Sequence, residues 1–184
     1  MSNLTATPAL TGTYTLDPVH SRLGFVARHA MVTKVRGSFT EVEGKGFFDA
    51  ADPSRSWLEV TIQAASIDTG NETRDAHLRS NDFFDMENHP EIRFVSTGVE
   101  QLDGSSYRVT GDLTIKGVTR PISIDLEYSG SAVDPYGNTR IGLEGSTAVN
   151  RRDWGINWNA ALDAGGVLVS EKVTLELDIS AVRA

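Results

Sequence analysis

The stretch that decides the fold is Ser66–Ser96, SIDTGNETRDAHLRSNDFFDMENHPEIRFVS, the one place where the chain leaves short alternating strands. Within it Glu72-Thr73-Arg74-Asp75-Ala76-His77-Leu78-Arg79-Ser80 has no Gly, no Pro and no β-branched run, which predicts about two helical turns. Asn71 is an acceptable N-cap, and Glu72 falls in the electropositive first turn. Phe83 and Phe84 follow, too apolar to be left in water. Pro90 ends anything helical, and Ile92-Arg93-Phe94-Val95 begins a strand. A short helix ending in a Phe pair, set between two strands of a β-rich chain, predicts a lid over the end of a barrel.

Working outward, the rest of the chain alternates with period two. Leu23, Phe25, Ala27 and His29 share one strand face; Leu58, Val60, Ile62 and Ala64 share another. Tyr107, Val109, Gly111, Leu113 and Ile115 alternate cleanly, as do Ile122, Ile124, Leu126 and Tyr128, and Val173, Leu175, Leu177 and Ile179 close the chain. Asp17-Pro18, Asp52-Pro53, Asp103-Gly104 and Gly117 mark turns, and residues 129–138 read as a turn-rich loop. The count is eight or nine strands, which suits a sandwich or a closed barrel, and the predicted architecture is an all-β antiparallel barrel of about eight strands with one helix near 71–80. In-strand glycines such as Gly24, Gly37, Gly44, Gly111 and Gly142 suit the coiling that closure demands. Residues 1–10 read as a flexible tail and 11–184 as a single barrel domain.

The totals narrow the function classes. A chain of 184 residues fits one domain able to bury roughly 70% of its unfolded surface. The absence of cysteine excludes disulfides and thiolate zinc sites. The N-terminus MSNLTATPAL has neither a basic nor an apolar signal region, so the expected location is cytoplasmic, without stable membrane insertion. A net charge of −8 argues against nucleic acid and against lying on an anionic membrane; an anionic ligand has to meet a local basic cluster.

Nine segments in order resemble the YceI-like family of polyisoprenoid-binding, lipocalin-like bacterial proteins. They are Leu16-Asp17-Pro18-Val19-His20-Ser21, Phe25-Val26-Ala27-Arg28-His29, Val35-Arg36-Gly37-Ser38-Phe39, Ser66-Ile67-Asp68-Thr69, Arg74-Asp75-Ala76-His77-Leu78-Arg79-Ser80, Asp82-Phe83-Phe84-Asp85, His89-Pro90-Glu91-Ile92-Arg93-Phe94, Gly111-Asp112-Leu113-Thr114-Ile115-Lys116-Gly117-Val118-Thr119 and Asn150-Arg151-Arg152-Asp153-Trp154-Gly155. The resemblance implies an elongated barrel holding a long isoprenoid, with no catalytic apparatus. The chain departs from the family in Ala164-Gly165-Gly166-Val167, a glycine-rich run before the last strand.

Strand parity then nominates a tunnel lining of Phe25, Ala27, His29, Phe39, Ile62, Phe83, Phe84, Phe94, Leu113, Ile115 and Leu126, with small Ala27 and Ala64 leaving room for a tail. A phosphorylated head group needs donors at the mouth. Arg28, Arg36, Arg74, Arg79, Lys116, Arg151 and Arg152 are available, with Arg74 and Arg151 foremost. The histidines at 20, 29, 77 and 89 lack metal-ligand spacing, so no metal and no cofactor is expected. His20 and His77 are expected to pin turns, and Arg74 and Asp75 to tie the lid to loops. No nucleophile elbow, P-loop or dinucleotide fingerprint occurs. The expected partner is a long-chain isoprenoid, a polyprenyl phosphate or quinone, held by a non-catalytic carrier, store or buffer; a homodimer is compatible with this. Two other classes stay open: an enzyme acting on a small apolar substrate in the cavity, and a filled-barrel stress or interaction protein.

Overall fold

The computed structural model describes residues 6–162 and 165–184. Eleven strand segments lie in one antiparallel sheet: β1 (Gly12–Leu16), β2 (Arg22–His29), β3 (Thr33–Phe39), β4 (Val42–Phe48), β5 (Trp57–Gln63), β6 (Ile67–Asp68), β7 (Glu91–Gln101), β8 (Ser106–Ile115), β9 (Val118–Val133), β10 (Thr139–Asn150) and β11 (Lys172–Arg183). The single α-helix is α1 (Glu72–Arg79).

Eleven segments make eight barrel strands because three strands are bent. β1 and β2 both run antiparallel to β11, at residues 181–183 and 174–178, so they are two halves of one strand. β4 and β3 return beside them, and β5 and β6 beside those. The remainder is an up-and-down meander, β7 to β11, and the contact of β11 with β1/β2 closes the ring. Closure removes the sheet edges that would otherwise template aggregation.

The kink between β1 and β2 shows what the Asp17–Ser21 segment does. The ladder is interrupted there, and the Ser21 hydroxyl replaces it, donating to Ser180 O and accepting from Ser180 N. Asp17 takes hydrogen bonds from Arg140 at 2.6 Å and lies 2.8 Å from His20 Nδ1, while Arg140 also reaches Asp134 at 2.9 Å. The network ties the bend to the turn after β9. Bulges at Ser96/Gly98 and Gly142/Leu143 add curvature. The β8–β9 turn is two residues long, with Lys116 and Gly117 both left-handed (φ 51° and 75°), as a tight hairpin requires.

Two expectations need correction. Residues 129–133 are not loop: β9 continues to Val133, and only 134–138 turn, because the strand follows β10 past the end of its apolar alternation. Nor are residues 6–10 a loose tail. Ala6 and Leu10 are buried, and the Tyr14 hydroxyl donates to Leu10 O at 2.7 Å, so this segment plugs one end of the barrel. Residues 1–5 lie outside the described residues.

Candidate functional site

The barrel has two unlike ends. At the end that receives the N-terminus, Tyr14, Tyr107, Tyr128 and Ile141 pack against Leu10 and Ala181. Burial pushes the Tyr14 and Tyr107 phenols up from their ordinary pKa. Only a chamber of about 120 Å³ remains there.

At the other end the lumen opens into a cavity of about 220 Å³ with an almost wholly apolar wall. Ten of the eleven nominated lining residues stand in that wall: Phe25, Ala27, Phe39, Ile62, Phe83, Phe84, Phe94, Leu113, Ile115 and Leu126. The two chambers share Leu58, Val60, Val109, Leu126 and Ile179, so they are successive widenings of one lumen.

The aromatic rings stay out of the lumen for a local reason. A Cβ added at Gly37 would fall 2.4 Å from Phe25 Cζ, and one at Gly111 would fall 2.5 Å from Phe94 Cζ. Each ring therefore lies flat over a glycine on the neighbouring strand. Phe25, Phe39 and Phe84 form a tilted, edge-to-face chain with centroids 5.8 and 5.9 Å apart.

Two pieces cap this end. The first is α1 with the turns after it. Asn71 caps the helix by accepting from Arg74 N at 2.9 Å. The helix is polar, and side chains, not an apolar face, hold it in place. Buried Asp75 accepts from Thr69 N, and Arg79 donates to Ala65 O and Ile67 O. Leu78, Phe83 and Phe84 supply its only contribution to the cavity wall. The second piece is the turn and loop of residues 151–162 and 165–170. His77, Phe83 and Trp158 join the two pieces, with centroids 4.6 to 5.4 Å apart, and His77 Nε2 lies 2.8 Å from Asp82.

Arg151 lies in this cap, buried at 6% exposure and part of the cavity wall. It begins a 3-10 turn capped by Asn150 and ended by left-handed Gly155; the same turn buries Trp154, whose indole donates to Leu113 O at 2.9 Å. The Arg151 guanidinium donates to three carbonyls, Ser170 O, Ile156 O and Val169 O. No carboxylate forms an ion pair with it among the described residues. Desolvation draws its pKa below the ordinary arginine value. A buried cation in the wall of an apolar cavity, with three of its five N–H groups engaged among the described residues, has donors for a further acceptor.

Two nominations lie elsewhere. His29 has the right parity, but it is exposed at the outer end of β2 and absent from the cavity wall, because the strand runs on beyond the mouth. Arg74 is also absent from the wall, its guanidinium directed to Thr69 Oγ1 and Thr69 O at 2.7 Å. Among the other cations, Lys116 donates to Asn81 O, Arg152 pairs with Glu171 and Arg36 with Glu176. Ala64, expected to leave room, is fully packed in the core at 1% exposure. Sequence reasoning missed Trp154, Ile156 and Val169 in the wall because they lie outside the named strands, where parity carries no signal, and it also left out strand residues of the wall such as Val60, Val109 and Leu175. Of the glycine-rich run, Ala164 lies outside the described residues, whereas Gly165 and Gly166 have positive φ in the loop.

A closed antiparallel barrel with an apolar lumen, a capped mouth and a buried cation in the cavity wall has the build of a binding protein. The chain belongs to the YceI-like family, whose domain matches residues 14–181. A UPF0312 protein of Photorhabdus laumondii is 37% identical over 98% of this chain and 91% of its own length. The Campylobacter jejuni YceI protein has 30% identity and a TM-score of 0.74, covering 85% of this chain and 90% of that one. A polyisoprenoid-binding domain from Saccharophagus degradans shares the fold at TM-score 0.69 and 16% identity, over 93% and 98% of the two chains. Among the described residues no helix is long and apolar enough to cross a membrane.

Proposed function

We propose that the protein is a non-catalytic carrier or store for a long isoprenoid, whose tail fills the lumen and whose anionic head group meets Arg151. The observation that supports this best is the 220 Å³ apolar cavity, with a buried guanidinium in its wall that pairs with no carboxylate among the described residues. Each methylene withdrawn from water contributes roughly 0.8 kcal/mol, so a dozen offset the ordering of a flexible tail. The second chamber gives a longer tail somewhere to go once Leu58 and Leu126 shift. A polyprenyl phosphate suits the cation better than a quinone, because charge-assisted hydrogen bonds are the stronger ones. The Saccharophagus domain is named for polyisoprenoid binding, which agrees with this reading.

Organic extracts of freshly purified protein, analysed by mass spectrometry, test it. The expected result is a co-purified prenyl lipid, released chemically unchanged. Added polyprenyl phosphate at a hundredfold excess over Kd should stabilise the fold by about 2.7 kcal/mol, a rise in Tm of roughly 5–11 °C. A chemically altered lipid would point to the enzyme class. Clean extracts from several hosts, with flat melting curves, would leave the filled barrel.

A further inference from the structure

We propose that the hairpin joining β2 to β3 docks the cavity mouth onto an anionic lipid bilayer. The tip of this hairpin, residues 30–32, presents Met31 and Val32 to water at 62% and 76% exposure. Ala30 and Met31 hold left-handed backbone (φ 51° and 63°), a conformation that non-glycine residues adopt only under constraint. Val32 is thus held out on a strained turn, and Met31, whose sulfur rests against Gly166 of the neighbouring loop, still keeps more than half of its surface in water.

The surface behind the tip is basic. Arg28 and Lys34 are cross-strand partners, exposed on the outer side of the ribbon, and the Arg28 guanidinium donates to Val32 O at 3.1 Å. Ser170 Oγ accepts from Arg28 N and donates to Lys172 O, which sets a third cation beside them. Among the described residues none of these three has a carboxylate within ion-pair distance.

Tip and mouth are continuous. Ala27, just below the tip, lines the cavity, as does Val169, which bridges to His29. An apolar tip rimmed by cations matches a bilayer interface with anionic head groups. The net charge of −8 does not prevent this, since charges farther than a Debye length, about 8 Å at physiological salt, are largely screened. Docking would bring the cavity to the lipid it exchanges. That purpose rests on the carrier reading; the docking itself does not.

Flotation with vesicles that contain no isoprenoid tests the docking alone. Binding is expected with phosphatidylglycerol vesicles, not with pure phosphatidylcholine, and should vanish at high salt. Each cation near an anionic surface strengthens binding about fivefold, so Arg28→Glu with Lys34→Glu should weaken it at least about twenty-fivefold while circular dichroism and Tm hold. Because the chain has no cysteine, Val32→Cys can carry a polarity-sensitive dye, with Val133→Cys at the opposite end as comparison. A blue shift at 32 alone supports docking. Equal shifts at both sites, equal binding to both vesicles, or indifference to the double reversal overturns it. So does a dimer that Val32→Asp dissolves while vesicles remain unbound. A chain that floats but never yields lipid overturns the carrier reading alone; one that carries lipid without floating overturns the docking alone.

Discussion

The two ends of the barrel are built from the same strands and closed by different means. At the N-terminal end, a segment continuous with β1 turns inward, and Leu10, Tyr14, Tyr107 and Tyr128 fill the lumen directly. At the mouth, a polar helix and a long loop lie across the opening, and each is held by hydrogen bonds and one aromatic cluster. The lesson is one of cost. Opening the first end exposes core, whereas lifting α1 from the second breaks mostly polar contacts that water can replace. The asymmetry lets one barrel be both rigid and accessible.

The largest expected effect is at the joint between cap and barrel. Trp154→Ala removes a 2%-exposed indole and its hydrogen bond to Leu113 O, and should cost about 3–5 kcal/mol in urea unfolding. A cost under about 1 kcal/mol would mean that the cap is not part of the folded core at all.

Arg151 sharpens the contrast through ligand chemistry. Arg151→Met should weaken binding of a polyprenyl phosphate by roughly 1.5–3 kcal/mol and leave a neutral quinone unaffected in paired calorimetric titrations. Arg74→Gln, which removes only the contacts to Thr69, should leave both affinities unchanged. Equal weakening of both ligands by Arg151→Met would assign that arginine to the fold.

Two alanines separate wall from core. Ala27→Trp projects into the cavity near the mouth and should block lipid uptake with little loss of stability. Ala64→Trp overpacks a 1%-exposed site and should cost roughly 1–3 kcal/mol or more. Matching stability losses in the two variants would show the mouth to be as tightly packed as the core.

The smallest effect is a pH dependence away from the mouth. The Arg140 guanidinium, helped by His20, holds the Asp17 carboxyl well below the usual carboxylate range. A depressed folded pKa gives stability that is fully present above the unfolded value, near 3.9, and lost as pH falls from there toward the folded pKa. Asp17→Asn should therefore be less stable than the parent at pH 7, with the gap in urea midpoints narrowing below about pH 4. A gap that widens in acid would reverse the assignment.

Much of this was legible along the chain. The period-two alternation named part of the wall, since eight nominated strand residues line the cavity beside Phe83 and Phe84 from the turns after the helix, and Asn71 with its polar run marked α1. Turn residues gave the hairpins. Parity failed at His29 because period two says which side of a strand a residue takes, not where the barrel ends. It also failed at Ala64, which leaves β5 for a 3-10 turn and packs into the core.

By itself, then, the sequence determined the strands, the helix, their order and the apolar face that lines the lumen, because these follow from local periodicity and turn chemistry. Only the tertiary structure decided that eleven segments are eight bent strands and that Arg151, not Arg74, reaches the cavity. Likewise, only the fold gathers Arg28, Lys34 and Lys172 behind one exposed hairpin tip. The physical reason is that closure and burial depend on contacts between residues far apart in the chain. Whether a charged side chain spends its donors on a nearby carbonyl or keeps them for a ligand is settled only once those contacts form.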